Sequence, residues 1–329
     1  MKRLLSAILC ILMILSVFTF VGCGEKKAEA LKFGFGVHTV AGTPTNATAD
    51  KDGQTKVTVN AAAVALDANG KIAAVALDVV DVTVKYTADG KAVVSESYKT
   101  KYELGDSYNM VAYGKAAKEW YAQADAFKGV VIGKTLDEVK ALVVADTNKG
   151  TDAVVSAGCT IMINELVLAI EKACANAADS NVVAENTLKV GFDTVVTPKD
   201  ATADKDGQGK IETTVFAAAL DAEGKIVAAK SDCAQVTVSF NDKGESTFDT
   251  AKAIKTKGEQ GADYGMVAYG KAAKEWNEQA AAFNALTIGK KVADIAAFKA
   301  DDNYGSADVK AAGCTILVDG FVRACAKLG

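Results

Sequence analysis

Residues 108–120 read YNMVAYGKAAKEW, and residues 264–276 read YGMVAYGKAAKEW. Twelve of the thirteen positions agree at an offset of 156 residues. Some forty residues after each copy comes the pentapeptide AGCTI, at 157–161 and 312–316. The duplication extends outward from these two anchors. LKFGF at 31–35 matches LKVGF at 188–192, ATADKDGQ occurs at both 47–54 and 201–208, and LDANGK at 66–71 matches LDAEGK at 220–225. Both prolines, Pro44 and Pro198, fall at corresponding places. Self-similarity at a fixed period marks a repeated structural unit. The chain therefore reads as two copies of one domain, residues 31–176 and 188–329, joined by a short polar segment at 177–187. Any site proposed for one copy has to be explained in both.

Each copy opens with β patterning and closes with helical patterning. KVTVNAAAVAL at 56–66 is strand-like, Asp67-Ala68-Asn69-Gly70 is a turn signal, and residues 71–78 and 80–86 continue a meander. The second copy repeats the layout with its turn at Asp221-Ala222-Glu223-Gly224. Met110, Tyr113, Ala117, Trp120 and Ala124 then recur at helical spacing, as do Met266, Tyr269, Ala273, Trp276 and Ala280, which predicts a helix across each shared phrase. Thr135-Leu136-Asp137-Glu138 has the form of a capping box and predicts a second helix. A third is expected to begin at or just after Thr160. Strands followed by helices indicate an α+β class: two tandem copies of a small domain, each an antiparallel meander followed by helices.

The N-terminus gives an address. Lys2 and Arg3 precede an apolar run over residues 4–21, which ends at Gly22-Cys23-Gly24. A basic start, an apolar core and small residues at the cut make a secretory signal. An uncleaved anchor is the alternative, since the run is near the lower limit of a spanning helix. Phe20-Val21-Gly22-Cys23 resembles a bacterial lipobox. That resemblance implies cleavage after Gly22, lipidation of Cys23, a tether at 23–30 and a place on the outer face of the cell membrane. Without Lys2 and Arg3 the chain carries 35 basic and 41 acidic residues. This mild acidity, with no basic patch, argues against nucleic acid as a partner. Beyond Cys10 and Cys23 there are five cysteines, of which only Cys159 and Cys314 correspond. An odd and mostly unmatched set is no disulfide framework.

Several chemistries are excluded for a duplicated function. His38 is the only histidine, so His-dependent triads and His-rich metal sites have no counterpart in the second copy. Asp50-Lys51-Asp52-Gly53 begins like a calcium loop, yet Ala61 and Val215 stand where the bidentate Glu would be, and a surface turn is the simpler reading. AGCTI is different. A glycine (Gly158, Gly313) followed by Cys159-Thr160 or Cys314-Thr315, at the expected start of a helix, is a place where free N–H groups could face an anion such as phosphate. The plainer reading makes Thr160 and Thr315 helix caps and nothing more. Similar pairs of readings attach to the other candidates. Tyr113, Trp120, Tyr269 and Trp276 could stack on a planar ring or belong to the core. Lys115 and Lys271 could pair with phosphate or lie on a solvated face. Cys159 and Cys314 could be activated by a helix start or simply pack.

AGCTI followed by an amphipathic helix resembles the flavinylation segment of the FMN-binding domain family, whose pattern is close to Asp-x-Ser-Gly-Ala-Thr. LDANGK and LDAEGK are similar to that family's DGKI strand pair, and the shared phrase resembles that of two-domain flavin lipoproteins of Gram-positive bacteria. The resemblance covers both copies. It implies FMN joined by a phosphodiester to Thr160 and to Thr315 by a secreted flavin transferase. It further implies a membrane dehydrogenase or quinol-linked donor, and a role as redox carrier rather than enzyme. Two departures stand out: Ala157 and Ala312 replace the family's Ser, and Cys159 and Cys314 replace its Ala. The nearest upstream acids are Asp152 and Asp308.

Overall fold

The structure is a computed structural model that describes residues 29–328. The expected signal segment and the expected lipidation site, Cys23, lie outside the described residues. The first copy begins with three long strands, β1 (Leu31–Ala41), β2 (Gly53–Leu66) and β3 (Ile72–Tyr86), paired antiparallel in the order of a meander. The turn between β2 and β3 forms because Asp67 Oδ1 accepts from the N–H groups of Asn69 and Lys71, while Gly70 takes a φ of 74°. The two strands expected over 71–78 and 80–86 are one, because Val79 and Val80 pair in unbroken register with Asn60 and Val59.

A short β4 (Ala92–Val93) edges the sheet, and α1 (Lys101–Leu104), α2 (Trp120–Val131) and α3 (Leu136–Lys140) follow. The Thr135 capping box is present in full: its hydroxyl accepts from Glu138 N, and the Glu138 carboxylate accepts from Thr135 N. A small ribbon of β5 (Val143–Val144) and β6 (Lys149–Gly150) leads to α4 (Asp152–Ser156) and α5 (Asn164–Ala175). The joint expected at 177–187 is more than a tether. It contains β7 (Ala178–Val182), which pairs antiparallel with β1 and makes the first sheet five-stranded.

The second copy repeats the plan. Strands β8 (Thr187–Lys199), β9 (Gly207–Leu220) and β10 (Ile226–Phe240) form a three-stranded sheet. Then come α6 (Lys257–Gln260), α7 (Trp276–Thr287), a 3-10 segment Val292–Phe298, α8 (Ala307–Ala311) and α9 (Asp319–Ala326). Strands followed by helices, twice, make this the α+β class that the sequence indicates.

The two sheets pack face to face. On β2, Val57, Val59, Ala61, Ala63 and Ala65 point into a core shared with Ile211, Val215, Ala217 and Ala219 of β9. The alternate residues Ala62, Val64 and Leu66 point the other way, into a core with α2 and α5. Phe216 and Ala218 do the same toward α7 and α9. A stretch buried on both faces has to be apolar throughout, which is why 61–66 reads as a run rather than an alternation. The layers are helices, sheet, sheet, helices.

The copies are related by a local twofold, visible in reciprocal contacts. Ala47 N donates to Gly244 O, and Ala201 N to Gly90 O. Lys172 pairs with Glu259 as Lys327 pairs with Glu103. On the axis Tyr86 stacks on its own counterpart, Phe240, with centroids 4.7 Å apart. Such self-complementary pairing is what an isologous dimer shows between chains; here one chain supplies both halves.

Each C-terminal helix lies close on its strand because a glycine lets it. A Cβ at Gly34 would stand 2.0 Å from Ala173 O in α5, and one at Gly191 would stand 2.1 Å from Ala324 O in α9. Replacing either by alanine forces helix and strand apart. Gly34→Ala and Gly191→Ala are each expected to destabilise the fold by about 1–3 kcal/mol, read from denaturant melts. A melt unchanged for either variant would refute the close approach.

Candidate functional site

The residues singled out by sequence gather in each copy where α2 or α7 meets the AGCTI loop, but not as a helix start. α4 ends in a Schellman turn: Gly158 N donates to Val155 O, Cys159 N to Val154 O, and Gly158 has a φ of 101°. Gly313 and Cys314 repeat it on α8, with a φ of 97°. The next helices begin only at Asn164 and Asp319, capped by Ile163 and Val318. The expectation that Thr160 and Thr315 cap a helix is therefore corrected. They are exposed loop residues between two helices, and the free N–H groups of α5 and α9 lie farther on. Gly158 and Gly313 serve to reverse the chain.

A buried glutamine holds each threonine. Gln123 Oε1 accepts from Thr160 N at 2.8 Å and from Thr160 Oγ1 at 2.9 Å. Gln279 Oε1 accepts from Thr315 N and Oγ1 at the same two distances. The amide ends donate to Lys118 O and Lys274 O. Both glutamines are 1% exposed. A fixed acceptor on the hydroxyl proton leaves the threonine oxygen's lone pairs facing outward. Sequence reading missed both glutamines; the signal was their place three residues after each matched Trp, inward on the same helix face.

Between Tyr108, which closes a 3-10 turn, and Trp120 the shared phrase is not helical, and Tyr264 and Trp276 bound the same stretch in the second copy. Residues 109–119 are turns, and α2 starts at Trp120 with Glu119 before it. The Glu119 carboxylate accepts from Met110 N and Val111 N, and Glu275 does the same for Met266 and Val267. Gly114 and Gly270 are demanded by the backbone, since a Cβ would meet the carbonyl oxygen of Met110 or Met266 at 2.7 Å. Lys115 and Lys271 take left-handed φ values of 52° and 53°. Trp120 and Trp276 are core, whereas Tyr113 and Tyr269 are 84% and 87% exposed. Lys118 and Lys274, absent from the sequence-level candidates, lie nearest the loop: a Cβ at Gly158 or Gly313 would stand 2.5 Å from their Nζ. Cys159 and Cys314 are fully buried, and burial raises both thiols, Cys314 to about 11. They pack and are not activated. All five cysteines of the described residues are free.

Another matched cluster lies beside the site. Thr100 and Thr256 head capping boxes that start α1 and α6. The next residue in each, Lys101 or Lys257, reaches between two rings. Lys101 Nζ is 5.2 Å from the Tyr108 ring and 5.6 Å from that of Trp120; Lys257 Nζ is 5.4 Å from Tyr264 and 5.7 Å from Trp276. Lys257 also bonds Glu212 at 3.0 Å. Burial works against its ammonium, yet Cys233, Tyr264 and Glu212 hold its pKa above the ordinary lysine value. The sequence carried this cluster as TKYE and TKGE, two capping boxes in register.

In the second copy these residues line a cleft of about 530 Å³ that Thr315 borders, with Trp276, Tyr264, Tyr304 and Phe321 as its apolar walls. Lys257 and Arg323 bring positive charge, set against Glu212, Asp193 and Asp319. The volume lies within the roughly 300–1,000 Å³ of small-ligand sites. A planar aromatic group with an anionic tail fits aromatic walls, a buried lysine, an exposed arginine and a hydroxyl at the mouth. The first copy fills the matching place differently. Glu165 stands where the second has Gly320, its Oε2 2.5 Å from His38 Nε2, and Leu168 stands for Arg323. A Cβ at Gly320 would already meet Thr214 Oγ1 at 2.8 Å.

Among the described residues no group of three or more His, Cys, Asp or Glu is placed to hold a metal, and no helix is long and apolar enough to cross a membrane. Compared with protein-family models, curated proteins and solved structures, the chain matches none.

Proposed function

We propose that this protein is a lipid-anchored extracellular electron carrier with FMN esterified to Thr160 and Thr315. The observation that carries the reading is the matched threonine. In both copies an exposed hydroxyl is fixed by a buried glutamine, and in the second it stands at the mouth of a cleft with aromatic walls and two cations. A structural threonine needs neither the exposure nor the duplicated acceptor.

Modification is a phosphoryl transfer onto the chain. The Thr Oγ1 bonds to the flavin-side phosphorus of a flavin dinucleotide as the pyrophosphate P–O bond breaks; the nucleoside monophosphate leaves with that electron pair, and the threonine proton passes to it or to water. Gln123 and Gln279 lose one donor in that exchange and keep the other, the threonine N–H. Lys118 and Lys274 place positive charge beside the new phosphodiester. In the second copy Lys257, Trp276, Tyr264 and Tyr304 would hold the ring, and Arg323 adds a cation at the same wall. Bound flavin supplies the electron-transfer chemistry; the chain supplies position and electrostatics. A covalent link also suits an extracellular protein, where a released cofactor is lost to dilution.

The two threonines belong to opposite outer layers, with both sheets between them. Face-to-face sheets are themselves about 10 Å apart. The attachment faces therefore do not meet. Each centre looks outward on its own side, so a membrane dehydrogenase or quinol-linked donor and an outside acceptor have separate faces to approach.

The test is intact mass after coexpression with a flavin transferase. The wild type should gain two FMN units, Thr160→Val or Thr315→Val one, and the double variant none. An unchanged wild-type mass with reversible flavin binding would replace this reading by a non-covalent ligand carrier. A colourless protein without flavin affinity would leave a structural repeat.

A further inference from the structure

Residues 110–119 and 266–275 are the same ten residues, MVAYGKAAKE, and not one of them is buried in either copy. The buried strands have drifted much further. GQTKVTVNAAAVAL in β2 and GQGKIETTVFAAAL in β9 share six of fourteen positions. This inverts the usual order, in which packing constrains the core and the surface drifts. Part of the loop has an internal reason: Glu119 ties down two N–H groups, and Gly114 admits a carbonyl. Val111 and Lys115 have none, and the tyrosine has only a backbone contact: the Tyr269 ring lies across Gly265, where a Cβ would meet it at 2.5 Å. Val111 is 46% exposed, and Tyr113 is the most exposed large apolar side chain of its copy. Lys115 holds a left-handed φ that Gly or Asn would take with less strain. Among the described residues neither Lys115 nor Lys271 has an ion-pair partner. The loop does touch the threonine site, since Lys118 O is bonded to the glutamine that holds Thr160.

We propose that these two loops are the surface by which the flavin-transferring enzyme recognises the chain, with Tyr113 and Lys115, and Tyr269 and Lys271, as its contacts. The inference rests on the covalent reading above. An electron donor and an electron acceptor are different partners and place no common demand on the two copies. The transferase alone must perform one reaction on both threonines, so it alone requires one surface presented twice. The loop adjoins the hydroxyl it works on. Lys115 in one loop and Lys271 in the other suit an enzyme whose bound flavin dinucleotide carries a pyrophosphate.

The experiment changes one loop and uses the other as its control. Full-length chain carrying Tyr113→Ala and Lys115→Gly is incubated with transferase and flavin dinucleotide, and the peptides bearing Thr160 and Thr315 are quantified by mass spectrometry over time. The initial rate at Thr160 should fall at least tenfold while that at Thr315 stays at the wild-type value. Tyr269→Ala with Lys271→Gly should reverse the pattern. Glycine accepts the left-handed φ, so Lys115→Gly alone should not lower the melting temperature, which separates recognition from folding. Equal, wild-type loading of both threonines in the variant overturns the proposal while leaving the covalent reading intact. So does normal loading with impaired electron transfer, which would give the loop to a redox partner. A wild-type chain that gains no flavin, with a transferase active on another substrate, overturns both.

Discussion

Phe240→Ala is expected to destabilise the whole chain, not its second half, by about 3–5 kcal/mol. Phe240 is fully buried and stacks on Tyr86 with an interplanar angle of 12°. The cost has two parts, the lost transfer of the ring and the cavity left where the two sheets meet. That cavity cannot collapse easily, because both neighbouring backbones are already tight. A Cβ at Gly207 would stand 2.4 Å from the Phe240 ring, and one at Gly53 would stand 2.3 Å from Tyr86. Tyr86→Ala should cost a similar amount. The double variant should fall short of the sum by about 0.5–1.5 kcal/mol, the coupling expected of a stacked pair. Tyr86→Phe is the control. It removes only the hydroxyl bonded to Thr45 O and Thr55 Oγ1, for about 0.5–1.5 kcal/mol. Since both sheets build one core, denaturant melts should show a single transition that moves as a unit. Two resolved transitions, with Phe240→Ala shifting only one, would show that the copies are separately stable.

That shared core was only partly legible. The duplication pointed to an antiparallel meander followed by helices, because hydrophobic period and turn chemistry are local properties; the opening strand Leu31–Ala41 and the single span of Ile72–Tyr86 were not read from it. How the copies associate is not local. The stretch 56–66 reads as a strand, and its apolar run at 61–66 suits burial on both faces, yet nothing in it says that the second face is the other copy. The strand at Ala178–Val182 was missed for a similar reason. ADSNV carries no strand signal of its own, and it is extended because β1 has an open edge there.

The site was legible in its residues and illegible in its backbone. The matched threonines stood out as a pair, but the helix expected to start at Thr160 starts four residues later. Gly158 ends α4, so the apolar residues 161–163 belong to a connection and not to the first turn of α5. The shared phrase misled through periodicity: Met110, Tyr113 and Ala117 fall at helical spacing by coincidence. A carboxylate nine residues away and a left-handed lysine outweigh that spacing, and the phrase is an exposed loop. Its identity between copies was the strongest signal in the chain, and its exposure turns that signal from packing to recognition.

A fall in stability of about 4 kcal/mol is expected from Asp78 as the pH rises from about 4 to 8. Asp78 is 6% exposed, and burial pushes its carboxyl up to about 7, against the bonds it receives from Thr100, Val79 N and Tyr102 N. Its pKa is thus higher in the folded chain than in the unfolded one. The folded state binds the extra proton, so the contribution is complete below the unfolded value of 3.8 and is lost as the pH passes through the folded value. Asp232 is raised for the same cause and adds to the slope in the same direction. Asp78→Asn mimics the neutral acid. Its oxygen can still accept from Val79 N and Tyr102 N, and its amide can donate to the Thr100 hydroxyl. At pH 8 it should therefore be more stable than the parent, and its profile should be flatter between pH 4 and 8. Denaturant melts across that range decide the matter, and a parent stability that rises with pH there, or an Asn variant weaker at pH 8, would refute it. Both carboxylates bind the first turn of α1 or α6, the turn that carries Lys101 or Lys257 to its rings. Ionisation strengthens those accepted bonds, so the cost lies in the desolvation of the carboxylate and not in the loss of the turn.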